Sequence, residues 1–139
     1  MKTYLRARQS KASPERVWSI WSDVSTRKDW NPNVASMTIA GAFQSGTHLV
    51  MHTREGRTHD MLMKEVQPGR SFHLETRVVP GTRFTFVCEI KPEAGGSAIR
   101  QGLQVGGPLG ALFGRLAGDR IASTFSGLLD GLARIAEEK

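Results

Sequence analysis

The spacing of apolar side chains changes period twice along the chain. Near the start, Val17, Ile20, Trp21 and Val24 recur at helical intervals. Ser13 suits the position that caps such a helix, and Pro14 suits its first residue, where a missing N–H costs nothing. The pattern predicts a short helix ending near Asp23 and a second short helix, STRKDW, capped by Ser25 and stopped by Pro32. Residues 3–11, TYLRARQSK, alternate loosely and read as a strand placed before that helix start.

From Val34 to Val105 the period falls to two. The runs are ASMTIAG, THLVMHTR, THDMLMKEV, SFHLETRVV, RFTFVCEIK and SAIRQGLQV, with turn residues between them at 41–46, 55–56, 68–69, 80–81 and 93–96. Such short links predict antiparallel neighbours, with one face of the sheet buried and the other wet. Phe84, Phe86, Cys88 and Ile90 share one face, opposite Thr85, Val87 and Glu89, and Phe72, Leu74, Thr76 and Val78 repeat the alternation one strand earlier. Met61 and Met63 share parity with His59 and Glu65, against Asp60 and Leu62, and parity alone leaves open which set faces inward.

The chain closes on a third pattern. Ile121, Phe125, Leu128, Leu129, Leu132, Ile135 and Ala136 cluster on one side of a helix, with Asp119, Asp130, Arg134 and Glu137 opposite. The glycine-rich stretch before it, VGGPLGALFGRLAGDR, leaves two readings open. A continuous helix would turn Gly110, Gly114 and Gly118 to the sheet, leaving room in the core or close approach for a ligand. Otherwise Val105 to Gly118 is an irregular lid and a helix starts near Asp119. Both place the glycines at a candidate ligand entrance. A phosphate-binding loop is poorly supported, because no Lys-Ser or Lys-Thr follows the glycines and the strand before them belongs to an antiparallel meander. The whole order predicts an α+β fold: a curved seven-stranded antiparallel sheet wrapped around a long C-terminal helix, with two short helices after the first strand.

Composition narrows the function classes. At 139 residues the chain suits a single domain spanning 1–139. Its net charge of +6 is scattered, without a basic helix or a ladder of aromatic residues, so no nucleic acid partner is expected. No apolar run approaches about 18 residues, so stable membrane insertion is not expected. The opening MKTYLRARQSK lacks the apolar stretch of a secretion signal, which makes a cytoplasmic location the expectation. A lone cysteine, Cys88, excludes an internal disulfide framework, and its alternation with Phe84 and Phe86 reads as a small buried hydrophobe rather than a nucleophile.

Candidate chemistry is sparse. His48 and His52, four apart on one strand, are roughly 13 Å apart and cannot share a metal. His52 and His59 flank the turn REGR and could face each other across a hairpin. Asp60 and Glu75 could form a carboxylate pair, although charged residues commonly occupy the wet face of a sheet. Arg8 on the first strand would bring a cation into an apolar cavity if its side faced the helix, and would otherwise reach to the rim. Gln101, beside Ile99 and Leu103, carries the same ambiguity. Met51, Met61 and Met63 could pad an adaptable wall.

The segment Ala12-Ser13-Pro14-Glu15-Arg16-Val17-Trp18, then Asp23, then Trp30-Asn31-Pro32, resembles the start of START-like domains of the SRPBCC superfamily. That superfamily includes plant pathogenesis-related allergens, polyketide cyclases and lipid-transfer domains, and the chain is most similar to its bacterial polyketide cyclase/dehydrase-like branch. Pro14 lies one place later than the commonest proline of the motif. The resemblance covers nearly the whole chain and implies a helix-grip fold with a ligand cavity between the curved sheet and the long helix.

On that expectation the cavity residues are Arg8, Trp30, His52, Met61, Met63 and Phe84 from the first part of the chain. Phe86, Gln101, Leu103, Gly114, Ile121 and Phe125 join them from the second. The expected function is binding or carriage of a small hydrophobic molecule, with an anionic group compatible, and with neither cofactor nor metal. The alternative is a cyclase- or dehydrase-like enzyme in which Arg8, His52, His59 or Asp60 converge on the same cavity. A protein-interaction module is a third reading, and it would expose an apolar patch. Phe43, Leu109, Leu112 and Leu116 are the candidates for such a patch, on which a homodimer could also form.

Overall fold

The computed structural model describes residues 2–77, 81–110 and 115–138. Strand β1 (Lys2–Ser10) leads to helix α1 (Pro14–Trp21), a single 3-10 turn (Val24–Thr26) and the four-residue helix α2 (Arg27–Trp30). Strands β2 (Val34–Ile39), β3 (His48–Thr53), β4 (Thr58–Gln67), β5 (Ser71–Thr76), β6 (Arg83–Glu93) and β7 (Gly96–Gly106) follow. Helices α3 (Arg115–Ala122) and α4 (Phe125–Glu137) end the chain. The predicted continuation of β5 to Val79 lies partly outside the described residues.

Local chemistry accounts for the helix boundaries. Ser13 caps α1 by accepting the Arg16 N–H at 3.2 Å, with Pro14 in the first turn. The second cap differs from expectation. Asp23, not Ser25, caps the 3-10 turn before α2, taking both the backbone N–H and the hydroxyl of Ser25 on its Oδ1, and no side chain caps α2 itself. A carboxylate is the stronger acceptor and leaves Ser25 as the donor.

The strands form one seven-stranded sheet in the order β1-β7-β6-β5-β4-β3-β2. All neighbouring pairs are antiparallel. Helices α1 and α2 therefore carry the chain from one edge of the sheet to the other. Register breaks between Val34 and Ser36 and between Lys64 and Gln67 bend the sheet, and the second places Glu65 at φ 48. Leu49, Met61, Met63, Phe72, Leu74, Phe84 and Ile99 are buried on the concave face, which settles the parity left open by the sequence. Helix α4 lays Phe125, Leu128, Leu129, Leu132 and Ala136 into that concavity. Trp18 and Trp21 of α1 meet Phe72 edge-on, with ring centroids 5.9 and 5.4 Å away.

The terminal helix is interrupted. At Ser123–Thr124 the two hydroxyls turn back onto the carbonyls of Arg120 (2.6 Å) and Ile121 (2.7 Å), and the helix restarts at Phe125. Of the candidate exposed patch, Phe43 instead packs on Trp18 and Phe72, 5.6 and 5.0 Å between centroids, because the β2–β3 connection folds over α1. Leu109 is 40% exposed, while Leu112 and the side chain of Leu116 lie outside the described part.

Candidate functional site

A cavity of about 320 Å³ lies between the concave face and the α3–α4 junction. Met37 of β2, Met51 of β3, Met61 of β4, Leu74 of β5 and Phe86 of β6 give it an apolar wall, closed on the helical side by Ile121, Phe125 and Leu128. Its opening is marked by exposed lining residues: Arg54, Glu55 and Arg57 on the β3–β4 hairpin, and Arg120 on α3. The hairpin tip is fixed by Gly56, whose φ of 91° permits the tight turn. It is tied to the α2–β2 link by a hydrogen bond from the Arg54 N–H to the Asn33 carbonyl, 3.0 Å.

At the inner end lies an arginine that the sequence reading passed over. Arg27 and Trp30 stand one turn apart on α2 and are both buried, whereas Lys28 between them is exposed. The Arg27 guanidinium stacks 5.2 Å from the Trp30 ring centroid and donates from Nη2 to the Trp21 carbonyl at 3.0 Å. No described carboxylate pairs with it, and its Nε and the Trp30 indole N–H are buried without a hydrogen-bond partner. Burial pulls its pKa down to about 10, with the Cys88 thiol opposing the shift. The group stays charged at neutral pH. Burial pushes the Cys88 thiol up to about 12, against the pull of Arg27 and with Glu89 adding to the rise. Cys88 is thus a protonated thiol, donating to Gln101 Oε1 at 3.2 Å.

Met61, Phe86, Gln101, Ile121 and Phe125, all expected at the cavity, line it. Met63, Phe84 and Leu103 lie on the same concave face but are wholly enclosed in the core beyond the cavity. Trp30 is buried behind Arg27 rather than at the cavity surface. Gly114 lies outside the described residues. Arg8 does not enter the cavity: it stays half exposed and pairs with Asp130 on the outer side of α4, which keeps the charge in water. His52 is exposed and bonds Thr58 Oγ1 across the hairpin, 3.1 Å, because its parity on β3 is opposite to that of Met51.

The convergence required by the enzymatic reading is not formed. Of Arg8, His52, His59 and Asp60, His59 alone lines the cavity, while Asp60 is exposed on the convex face and Glu75 pairs with Lys64 at 2.9 Å. Desolvation, and then the nearby Arg57, hold the His59 pKa below its ordinary value. Among the described residues no cluster of three or more His, Cys, Asp or Glu side chains could hold a metal, and no helix is long and apolar enough to cross a membrane. Part of the glycine-rich stretch lies outside the described residues, and of its described glycines neither Gly110 nor Gly118 lines the cavity. At Gly118 an added Cβ would come 2.9 Å from the Tyr4 ring and 3.1 Å from Val105, so the glycine serves close helix–sheet packing instead of leaving a gap.

Comparison with solved structures gives the fold relatives. Protein MLL2253 from Mesorhizobium loti is 15% identical with a TM-score of 0.78, covering 96% of this chain and 95% of that one. Ara h 8.0201 is 12% identical with a TM-score of 0.76, covering 97% of each chain. The di-domain ARO/CYC BexL from the BE-7585A biosynthetic pathway is 14% identical with a TM-score of 0.77, covering 99% of this chain and 50% of that one. No curated protein matches the sequence. Residues 2–137 match the family described as "Polyketide cyclase / dehydrase and lipid transport". With the helix-grip architecture and a match over that length, the chain belongs to the polyketide cyclase/dehydrase and lipid transport family of START-like proteins.

Proposed function

We propose that the protein binds a small hydrophobic molecule in the cavity between its sheet and its C-terminal helices. The observation that carries this reading is the cavity itself: about 320 Å³ beneath α3 and α4, walled by Met37, Met51, Met61, Leu74, Phe86 and Phe125. That volume is at the lower end of the range of roughly 300–1,000 Å³ over which small-molecule pockets occur. Thioether side chains adapt to ligand shape at small cost, which suits a carrier of related compounds. The family also includes lipid transport in its description, and a binding role needs no proton-transfer geometry. The cyclase-like alternative needs such geometry, and its candidate residues point to different faces of the sheet.

The test uses the neutral probe N-phenyl-1-naphthylamine, whose fluorescence rises in apolar surroundings. The wild-type protein should bind it saturably with one site per chain. Met51→Trp, at a half-buried wall position, should weaken binding about tenfold or more by filling the space while leaving the far-UV circular dichroism unchanged. No saturable binding to the wild-type protein, or equal binding by the folded variant, would overturn the proposal.

A further inference from the structure

We infer that Arg27 is the anion-binding group of this cavity, holding the carboxylate or sulfonate head of a ligand whose apolar body fills the methionine-lined space. The inference rests on the cavity-binding proposal and adds to it the polarity and orientation of the ligand.

A buried guanidinium without a counter-charge is costly, because the water it loses has to be replaced by something. Arg27 is 6% exposed, and Nη2 is the only one of its nitrogens with a hydrogen-bond partner among the described residues. The acidic group that acts on its charge, Cys88, is a thiol held protonated at neutral pH and already donating to Gln101. Bridging α1 to α2 through the Trp21 carbonyl needs one donor, which a neutral side chain could supply. It does not account for the charge or for the fork of donors that guanidinium keeps in fixed geometry. Because Arg27 lines the cavity, an oxyanion inside it is the partner that this geometry is short of.

The rest of the lining agrees. Arg54, Arg57 and Arg120 surround the opening and Glu55 is the one acid there among the described residues. None of these arginines is in an ion pair with a described carboxylate. An exposed cationic rim draws anions to the opening, and salt screens it. Arg27 is enclosed and not screened in that way. The expected pose is therefore head inward on Arg27 and apolar body against Met37, Met51, Met61 and Phe125.

A matched pair of probes separates the two proposals. 8-Anilinonaphthalene-1-sulfonate differs from N-phenyl-1-naphthylamine by its sulfonate. At 0.5 M sodium chloride, with the rim screened, the wild-type protein should bind the sulfonate probe about tenfold or more tightly than the neutral one, as a charge-assisted hydrogen bond implies. Arg27→Met should abolish that preference and leave the neutral probe within about twofold. Arg120→Gln should retain it. If the Arg27 variant fails to fold, the wild-type protein still decides the matter. In two-dimensional ¹⁵N spectra the Arg27 Nε–Hε resonance should shift on titration with the sulfonate probe and not with the neutral one. If both probes bind equally to wild type and R27M, the Arg27 inference is overturned and the cavity proposal stands. It is overturned likewise if the preference survives in R27M, whether or not R120Q retains it. If neither probe binds the wild-type protein, the cavity proposal fails and this inference falls with it.

Discussion

His59 shows how a single side chain reports its place at the cavity. Burial and then Arg57 favour its neutral form in the folded protein, whereas the unfolded chain takes up a proton near the ordinary value of 6.5. As pH falls through 6.5 the unfolded state gains protons first, and stability drops until the depressed folded pKa is passed. The wild-type protein should therefore lose more stability between pH 8 and pH 5 than His59→Gln, read from urea midpoints at the two pH values. Equal losses would show that His59 does not couple to folding. Residue identity was partly legible in the sequence. Alternation grouped Phe84 with Phe86 and Met61 with Met63, because a strand offers two faces, but left open which of the two faces of β4 goes inward. It could not decide Arg8 and did not apply to Arg27 on α2, which are the same residue type in different surroundings. On β1, Arg8 shares the helix-facing side with Tyr4 and Ser10, but its length carries the charge out to Asp130. STRKDW was read as a second short helix, with no role given to Arg27. The available signal was the three-residue spacing from Arg27 to Trp30, which puts both on one helical face.

At the scale of elements, α4 carries two glycines with opposite roles. An added Cβ at Gly127 would meet Pro32 Cγ at 3.7 Å, an ordinary contact, while at Gly131 it would come 2.1 Å from the Trp30 carbonyl oxygen. Gly127→Ala should raise stability by roughly 0.5–1 kcal/mol through helix propensity. Gly131→Ala should lower it by roughly 1–3 kcal/mol, since α2 and α4 would have to separate. Urea unfolding of both variants checks the pair, and a gain at both positions would contradict the close approach. The position of α4 was clear from the spacing of Phe125, Leu128, Leu129 and Leu132. Its break from α3 was not, because the apolar stripe continues across Ser123–Thr124 and the interruption is made by hydroxyls competing for the carbonyls of Arg120 and Ile121.

For the molecule as a whole, binding and folding share one free energy. A ligand that binds only the folded state at about 100 times its Kd adds about 2.7 kcal/mol of stability. Saturation with 8-anilinonaphthalene-1-sulfonate should therefore move the urea midpoint upward without changing the slope of the transition, and an unmoved midpoint would contradict binding to the native cavity. The element order and the short connections were legible, as was the wrapping of the sheet around the terminal helix, and the motif resemblance agreed with it. The places where the sheet bends were not legible, since they depend on register breaks at Val34–Ser36 and Lys64–Gln67 that leave the alternation nearly intact. The contact between Gly131 and the Trp30 carbonyl bears on how ligand preference can drift. Arg27 rides on α2, and α2 is seated by a glycine on the far side of Trp30 that never meets the ligand. A change at residue 131 could move the charged anchor while every cavity-lining residue kept its identity. Two relatives with the same lining could then differ in ligand, and comparison of their pockets residue by residue would give no reason why.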